Sequence, residues 1–226
     1  MSRRSEVVMS WVVTVSAAIM AIAIARREFG NQSSRNRLLP AQSIEHVAAW
    51  AQYRRYGRMI GLRDAPIQIV EFADLECPAC RAFQTVLDGA RKQFGDSVAV
   101  TFIHFPLPMH RFARMAAQAA ECAANEGKFR QFVSTAYAKQ DSFGLKPWSS
   151  YAVDAGITDT ASFNACTLTR AAVPAVDSGF ALARRLQLPG TPTVIVNGWQ
   201  FGSPPSADDL ASTIERLMKG KTPVGS

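Results

Sequence analysis

Ile67-Gln68-Ile69-Val70-Glu71-Phe72-Ala73-Asp74-Leu75-Glu76-Cys77-Pro78-Ala79-Cys80 runs a β-branched and aromatic segment straight into a Cys-x-x-Cys pair. Residues of this kind over 67–72 predict a buried strand. Pro78 suits the first turn of a helix, where its missing N–H leaves nothing unpaired. The predicted helix runs from Pro78 to Phe94 and closes at Gly95, and Val98 to Phe105 predicts the next strand. Strand, helix and strand in that order open a parallel sheet, so the fold class is α/β.

A disulfide exchanges only when a thiolate attacks sulfur, so a reactive cysteine needs its pKa brought below about 8.5. Cys77 sits where the strand ends and the helix begins, and the free N–H groups and positive dipole of that helix end favour its thiolate. Cys80 lies in the first turn, within bridging reach and less exposed. Cys77 is therefore expected to be the nucleophile and Cys80 the resolving thiol. Ala79 offers no side-chain donor and Glu76 adds a negative charge beside Cys77, which together predict a shallower depression than such motifs reach. Alternation places Glu71 on the face shared by Ala73 and Leu75. A carboxyl buried there has a raised pKa and is a candidate proton relay to Cys80, the alternative being a partly exposed strand-end glutamate without a role.

Outward from this segment the pattern turns helical from His110 to about Leu188, in alanine-rich stretches near 111–125, 127–139, 148–155, 159–168 and 174–186. The chain returns to strand at Gly190-Thr191-Pro192-Thr193, and Val194 to Phe201 reads as a hairpin turning at Asn197-Gly198. A last helix starts at Ser206 or Asp208 and ends near Gly220. The expected domain covers residues 61–222, with a helical insert over about 108–188. Upstream, residues 26–60 read as linker, with a short helix between Ile44 and Tyr56. Trp199 and Phe201 fit sheet packing or a substrate-facing rim, while Met20, Met109, Met115 and Met218 read as anchor or core. His104 and His110 read as packing or capping residues.

Before the linker, residues 1–6 are a basic N-terminus and residues 7–25, from Val7 to Ala25, carry no charge. At ~1.5 Å per residue this run makes about 28 Å of helix, enough for a transmembrane span. Ala23-Ile24-Ala25 also resembles a signal cleavage site, so secretion after cleavage is the alternative. The net charge of +7 lies at the front, where ten arginines up to Arg63 face Glu6, Glu28 and Glu45, and the remaining 15 basic and 15 acidic side chains cancel. A basic stretch beside an apolar run is suited to anionic lipid, and a balanced domain argues against nucleic acid. Arginines after the span favour a cytoplasmic domain by the positive-inside rule, yet disulfide chemistry suits an oxidising compartment. The expected placement is a single-pass anchor with the domain facing the periplasm or cell exterior.

Taken together, Glu71-Phe72-Ala73-Asp74 ahead of Cys77-Pro78-Ala79-Cys80, then Phe105-Pro106-Leu107, then Gly190-Thr191-Pro192-Thr193 before the terminal hairpin resemble the thioredoxin superfamily, in its DsbA-like branch with a helical insert. The resemblance covers about residues 60–220. It implies a thiol–disulfide oxidoreductase in which Pro192 is cis and packs against the cysteine pair, and Thr191 offers backbone hydrogen bonds to substrate peptide. It also implies a second cysteine pair within the insert, here Cys122 and Cys166, forming a structural disulfide; two buried thiols or a second redox pair are the alternatives. Ala79 stands where strongly oxidising members carry a histidine, so the direction of electron flow stays open. Exported proteins with cysteine thiols are the implied substrates, and a membrane redox partner the implied reoxidant (quinone-linked) or transmembrane reductant. The rival functions are an extracytoplasmic reductase or isomerase and a non-catalytic, chaperone-like peptide binder. No cofactor or metal is expected, because a zinc site would need a second cysteine pair at ligand spacing.

Overall fold

The computed structural model of the chain describes residues 43–169 and 171–223. Among the described residues six strands form one sheet: β1 (Ile44–His46), β2 (Arg58–Ile60), β3 (Ile67–Ala73), β4 (Val98–His104), β5 (Thr193–Val196) and β6 (Trp199–Phe201), ordered β1-β6-β5-β3-β4-β2. The central β3 runs parallel to β4 and antiparallel to β5. Every residue of β3 and β4 is buried, which is why both read as near-continuous apolar runs. Asn197 and Gly198 take the positive φ values that a tight hairpin needs, 44° and 93°. The Asn197 side chain also accepts from Gln68 N–H (2.7 Å) and donates to the Pro66 carbonyl (2.9 Å), fixing the β5–β6 turn to the start of β3.

Helix α1 (Pro78–Phe94) begins at Cys77, an extended N-cap, and stops at Gly95, whose φ of 56° a glycine adopts at no steric cost. Cys80, Phe83, Leu87 and Ala90 recur at helical spacing on its inner face. Phe83, Leu87 and Ala90, with Leu210 and Ile214 of α7 (Ala207–Met218), close over Ile67, Ile69, Val98 and Val194 on one side of the sheet, while Cys80 packs with the helical insert. The opposite side carries Val70, Phe72, Ile103 and Ile195 beneath Leu182 and Ala183 of α6 (Pro174–Arg185). Gly179 lets α6 approach β4 closely, since a Cβ there would lie 2.6 Å from the His104 carbonyl oxygen.

Four helices lie between β4 and α6: α2 (Ala113–Asn125), α3 (Phe129–Ala138), α4 (Trp148–Asp154) and α5 (Thr160–Leu168). Small side chains let them pack tightly, with Ala116, Ala119, Ala120 and Ala123 of α2 buried beside Phe132, Tyr137, Tyr151 and Phe163. Cys122 and Cys166 are joined in a disulfide, Cα atoms 5.8 Å apart, which ties α2 to α5. The insert is also fixed to the sheet by charge. Glu121 of α2 is buried, accepts from Arg58 Nε on β2 (3.0 Å) and faces His104 Nε2 on β4 (3.1 Å). Burial alone would raise its pKa, but the His104 and Arg58 hydrogen bonds and charges outweigh that and hold it near 2.

Several expectations change. Residues 44–60, read as linker with a short helix, supply two sheet strands and a 3₁₀ helix (Trp50–Tyr56), because Ile44 and Tyr53 find apolar partners on the sheet that spacing alone does not reveal. The segment 174–186, read as part of the insert, covers the sheet instead. Met109, Met115 and Met218 are exposed, Met109 at 77 %; in α2 the inner face around Met115 is already filled by alanines. Phe201 packs in the sheet core and Trp199 meets His46 edge-on at 4.9 Å. The apolar run 7–25 lies outside the described residues; among those described, no helix is long and apolar enough to cross a membrane.

The disulfide closes a loop of sequence separation 44. Replacing Cys122 and Cys166 together by alanine should lower the unfolding free energy by roughly 2–4 kcal/mol, read from the denaturant midpoint of the whole chain.

Candidate active site

At the end of β3 the chain turns through Asp74-Leu75-Glu76 and enters α1 at Cys77, with Cys77 N–H donating to the Asp74 carbonyl at 3.1 Å. Both thiols are free, and they differ in access: Cys77 keeps 6 % of its surface and Cys80 none. Cys77 is thus the sulfur a partner can reach. Its pKa falls from 9.0 to about 5. The Cys80 thiol donating to it is the main cause; partial burial opposes, and Thr191 and the N–H groups of Cys80 and Ala79 add to the lowering. Burial pushes the Cys80 thiol far up, and donating to Cys77 pushes it further. The pair is therefore polarised into one thiolate and one thiol.

A pKa near 5 is well depressed yet short of the lowest such motifs reach, the direction Ala79 and Glu76 suggested. Ala79 contributes through its backbone N–H, which any residue there supplies. Glu76 turns away from the thiolate, its carboxylate accepting from Phe112 N–H at the start of the insert.

Glu71 lies in β3, 1 % exposed, and neither carboxyl oxygen has a hydrogen-bond partner. Burial raises its pKa to about 8, and the Cys77 charge adds to that. Glu71 in turn contributes to raising Cys80. A cavity of roughly 10 Å³, lined by Glu71, Gln84, Arg91 and Arg130 among others, opens against the carboxyl.

Sequence reasoning passed over two residues that hold the turn. Asp74, buried, accepts from Glu76 N–H and Leu107 N–H, each at 2.8 Å, and its Oδ2 lies 2.7 Å from His110 Nδ1. Gln140 reaches in from the insert and donates to the carbonyls of Leu75 (2.8 Å) and Cys77 (3.0 Å). Asp74 stood inside a recognisable motif; Gln140 had no local signal, because its targets lie more than sixty residues away.

On the far side of Cys77, the Thr191–Pro192 peptide bond is cis, and the Thr191 carbonyl oxygen lies 3.4 Å from Cys77 Sγ. The chain region 54–216 matches the family model described as thioredoxin. The chain belongs to the thioredoxin family. Among solved structures, the thioredoxin fold seen here is similar to oxidised BdbD from Bacillus subtilis (21 % identity, TM-score 0.66, 79 % of this chain and 99 % of that one). It is similar also to alpha-DsbA1 of Wolbachia pipientis (19 %, 0.62, 73 % and 92 %) and to Proteus mirabilis ScsC in a transitional conformation (20 %, 0.61, 97 % and 98 %). The fold is thus similar to those of these proteins, and at its site stands a polarised cysteine pair of the kind thiol–disulfide exchange requires. Curated relatives include Na(+)/H(+) antiporter NhaA 1 of Mycolicibacterium vanbaalenii, 31 % identical over 92 % of this chain and 37 % of that protein. The one from Mycolicibacterium gilvum is 34 % identical over 71 % and 26 %. This thioredoxin-family chain spans about a third or less of the length of those relatives.

Two outcomes follow for the site. In the reduced chain, alkylation of Cys77 by iodoacetamide, mapped by mass, should reach half its plateau near pH 5, with Cys80 unmodified; a half-point near 8.5 would contradict the thiolate assignment. Glu71 has a raised pKa, so the stability it confers is complete below about pH 4.5 and is lost as pH rises through about 8. In the oxidised chain, where neither cysteine titrates and the Cys77 charge is absent, Glu71→Gln should therefore remove a fall in denaturant midpoint that begins above about pH 4.5 and is complete by about pH 8.

Proposed function

We propose that the chain is a disulfide-forming oxidase acting on exported proteins, with the Cys77–Cys80 disulfide as the group it gives away. The observation that carries this reading is a single reachable sulfur held as a thiolate with a pKa near 5. A depressed pKa stabilises the folded, reduced chain above the thiol's ordinary range, an advantage lost as pH falls through about 5. At neutral pH much of that advantage is present, so the reduced state is favoured and the disulfide is readily surrendered.

The steps balance as two exchanges. A substrate thiolate attacks Cys77 Sγ in the disulfide, forming a mixed disulfide and expelling Cys80, which takes up a proton. A second substrate thiolate attacks the substrate sulfur of that mixed disulfide and expels Cys77 as a thiolate, the easier leaving group for its low pKa. The substrate loses two electrons and leaves with a disulfide; the chain gains them as the thiolate–thiol pair. Glu71, protonated at neutral pH beside the buried pair, is the proposed proton donor to Cys80. The cavity against it has room for about one water, the proposed source of the proton that restores it. Thr191, its carbonyl facing Cys77 beside cis Pro192, is the proposed backbone partner for the substrate segment around the attacked sulfur.

The Cys122–Cys166 disulfide supports an oxidising compartment, and with it an extracytoplasmic domain. The apolar run 7–25 with flanking arginines is the proposed anchor, and its charges the contact with anionic lipid. Relatives named as antiporters carry a matching region, which supports work beside a membrane. A quinone-linked membrane protein is the proposed reoxidant.

Equilibrating the whole chain with glutathione buffers tests the direction. The expected potential lies toward ~−120 mV; a value near ~−270 mV would make the chain a reductase. Cys80→Ser should accumulate mixed disulfides with exported proteins through Cys77, and Cys77→Ser should form none.

A further inference from the structure

The helical insert touches the reactive turn through one side chain whose placement the chemistry so far does not explain. Gln140 begins the 3₁₀ turn Gln140–Ser142 that follows α3. It is 7 % exposed, and its amide nitrogen spends both donors on the turn, one on the Leu75 carbonyl and one on the Cys77 carbonyl. A buried amide of this kind is costly unless paired, and here the partners are two carbonyls that flank Glu76 on the approach to Cys77.

We propose that Gln140 is the positioning residue through which the insert holds Cys77 in its attacking geometry. The proposal rests on the reading of Cys77 as the exchanging thiol and adds what keeps it there. The Cys77 carbonyl oxygen accepts from Arg81 N–H (3.1 Å) as well as from Gln140 (3.0 Å), so two donors fix the orientation of the peptide plane between Cys77 and Pro78. Pro78 has no N–H, so the plane has no donor of its own with which to fix its orientation. Rotation of that plane carries the Cys77 sulfur relative to the N–H groups of Ala79 and Cys80, which point to it from the first turn of α1. Holding Leu75 as well removes the other hinge of the turn. Arg81 and Asp141, next to Cys80 and Gln140 in the chain, pair at 2.9 Å on the surface over the same contact; being exposed, that pair adds little.

The experiment uses the whole chain with Gln140→Met, which keeps length and volume while donating nothing. Cys77 alkylation should shift its half-point upward by about one pH unit, and the equilibrium constant for oxidising glutathione should fall about tenfold, ~30 mV. A folded Gln140→Met chain with both values unchanged would overturn the proposal and leave Gln140 as a packing residue. If wild type itself does not equilibrate with glutathione, the exchange reading fails first, and that outcome is separate because it needs no variant. Should Gln140→Met not fold, the side-chain amide protons of Gln140 in reduced wild type decide by NMR. They should shift with a midpoint matching Cys77 ionisation, and their indifference to that titration would overturn the assignment.

Discussion

Asp74 offers its buried carboxylate to three separate stretches of chain, and the site is built around that offer. One oxygen takes the N–H of Glu76 within the reactive turn; the other takes the N–H of Leu107 after β4 and faces the His110 ring ahead of α2. A buried carboxylate without donors would be prohibitive, so these groups cannot drift from it independently. The end of β3, the exit from β4 and the entry to the insert are thereby held at one point. Glu76, whose own carboxylate takes Phe112 N–H, repeats the tie one step outward. The Cys77 sulfur inherits its position from this arrangement.

The same logic recurs farther along the first helix of the insert. Glu121 meets Arg58 from the edge strand β2 and His104 from the inner strand β4, so a single helix residue fixes α2 to two strands. The disulfide then fastens α5 to α2. Between these ties the insert interior is made of alanine and aromatic side chains, a pairing of small and large that fills space without long flexible groups.

Legibility in the sequence followed interaction range. β3, α1, β4, the hairpin and α7 were readable because each is declared by neighbours in sequence: alternation, Pro78 at a first turn, Gly95 after a last one, Asn197-Gly198 between two strands. β1 and β2 were not, since three-residue strands carry too little pattern to stand out and exist only because β6 and β4 offer them backbone partners. In the site, Cys77 and Cys80 are conspicuous and Glu71 is found by counting along one strand face. Gln140 is one glutamine in a polar turn, and its meaning lies wholly in distant carbonyls. Glu76 shows a similar limit: adjacency to Cys77 in sequence says nothing about which way its side chain turns.

The short strands that escaped notice also bear on what the molecule can safely meet. Among the described residues β1 and β2 are the two outer strands of the sheet, three residues each, and they bear Glu45 and Arg58. An extended chain adding itself to either border would find only a brief ladder of backbone groups, interrupted by charge. For a protein proposed to exchange disulfides with exported substrates, borders this short and charged offer an extended substrate segment little to pair with.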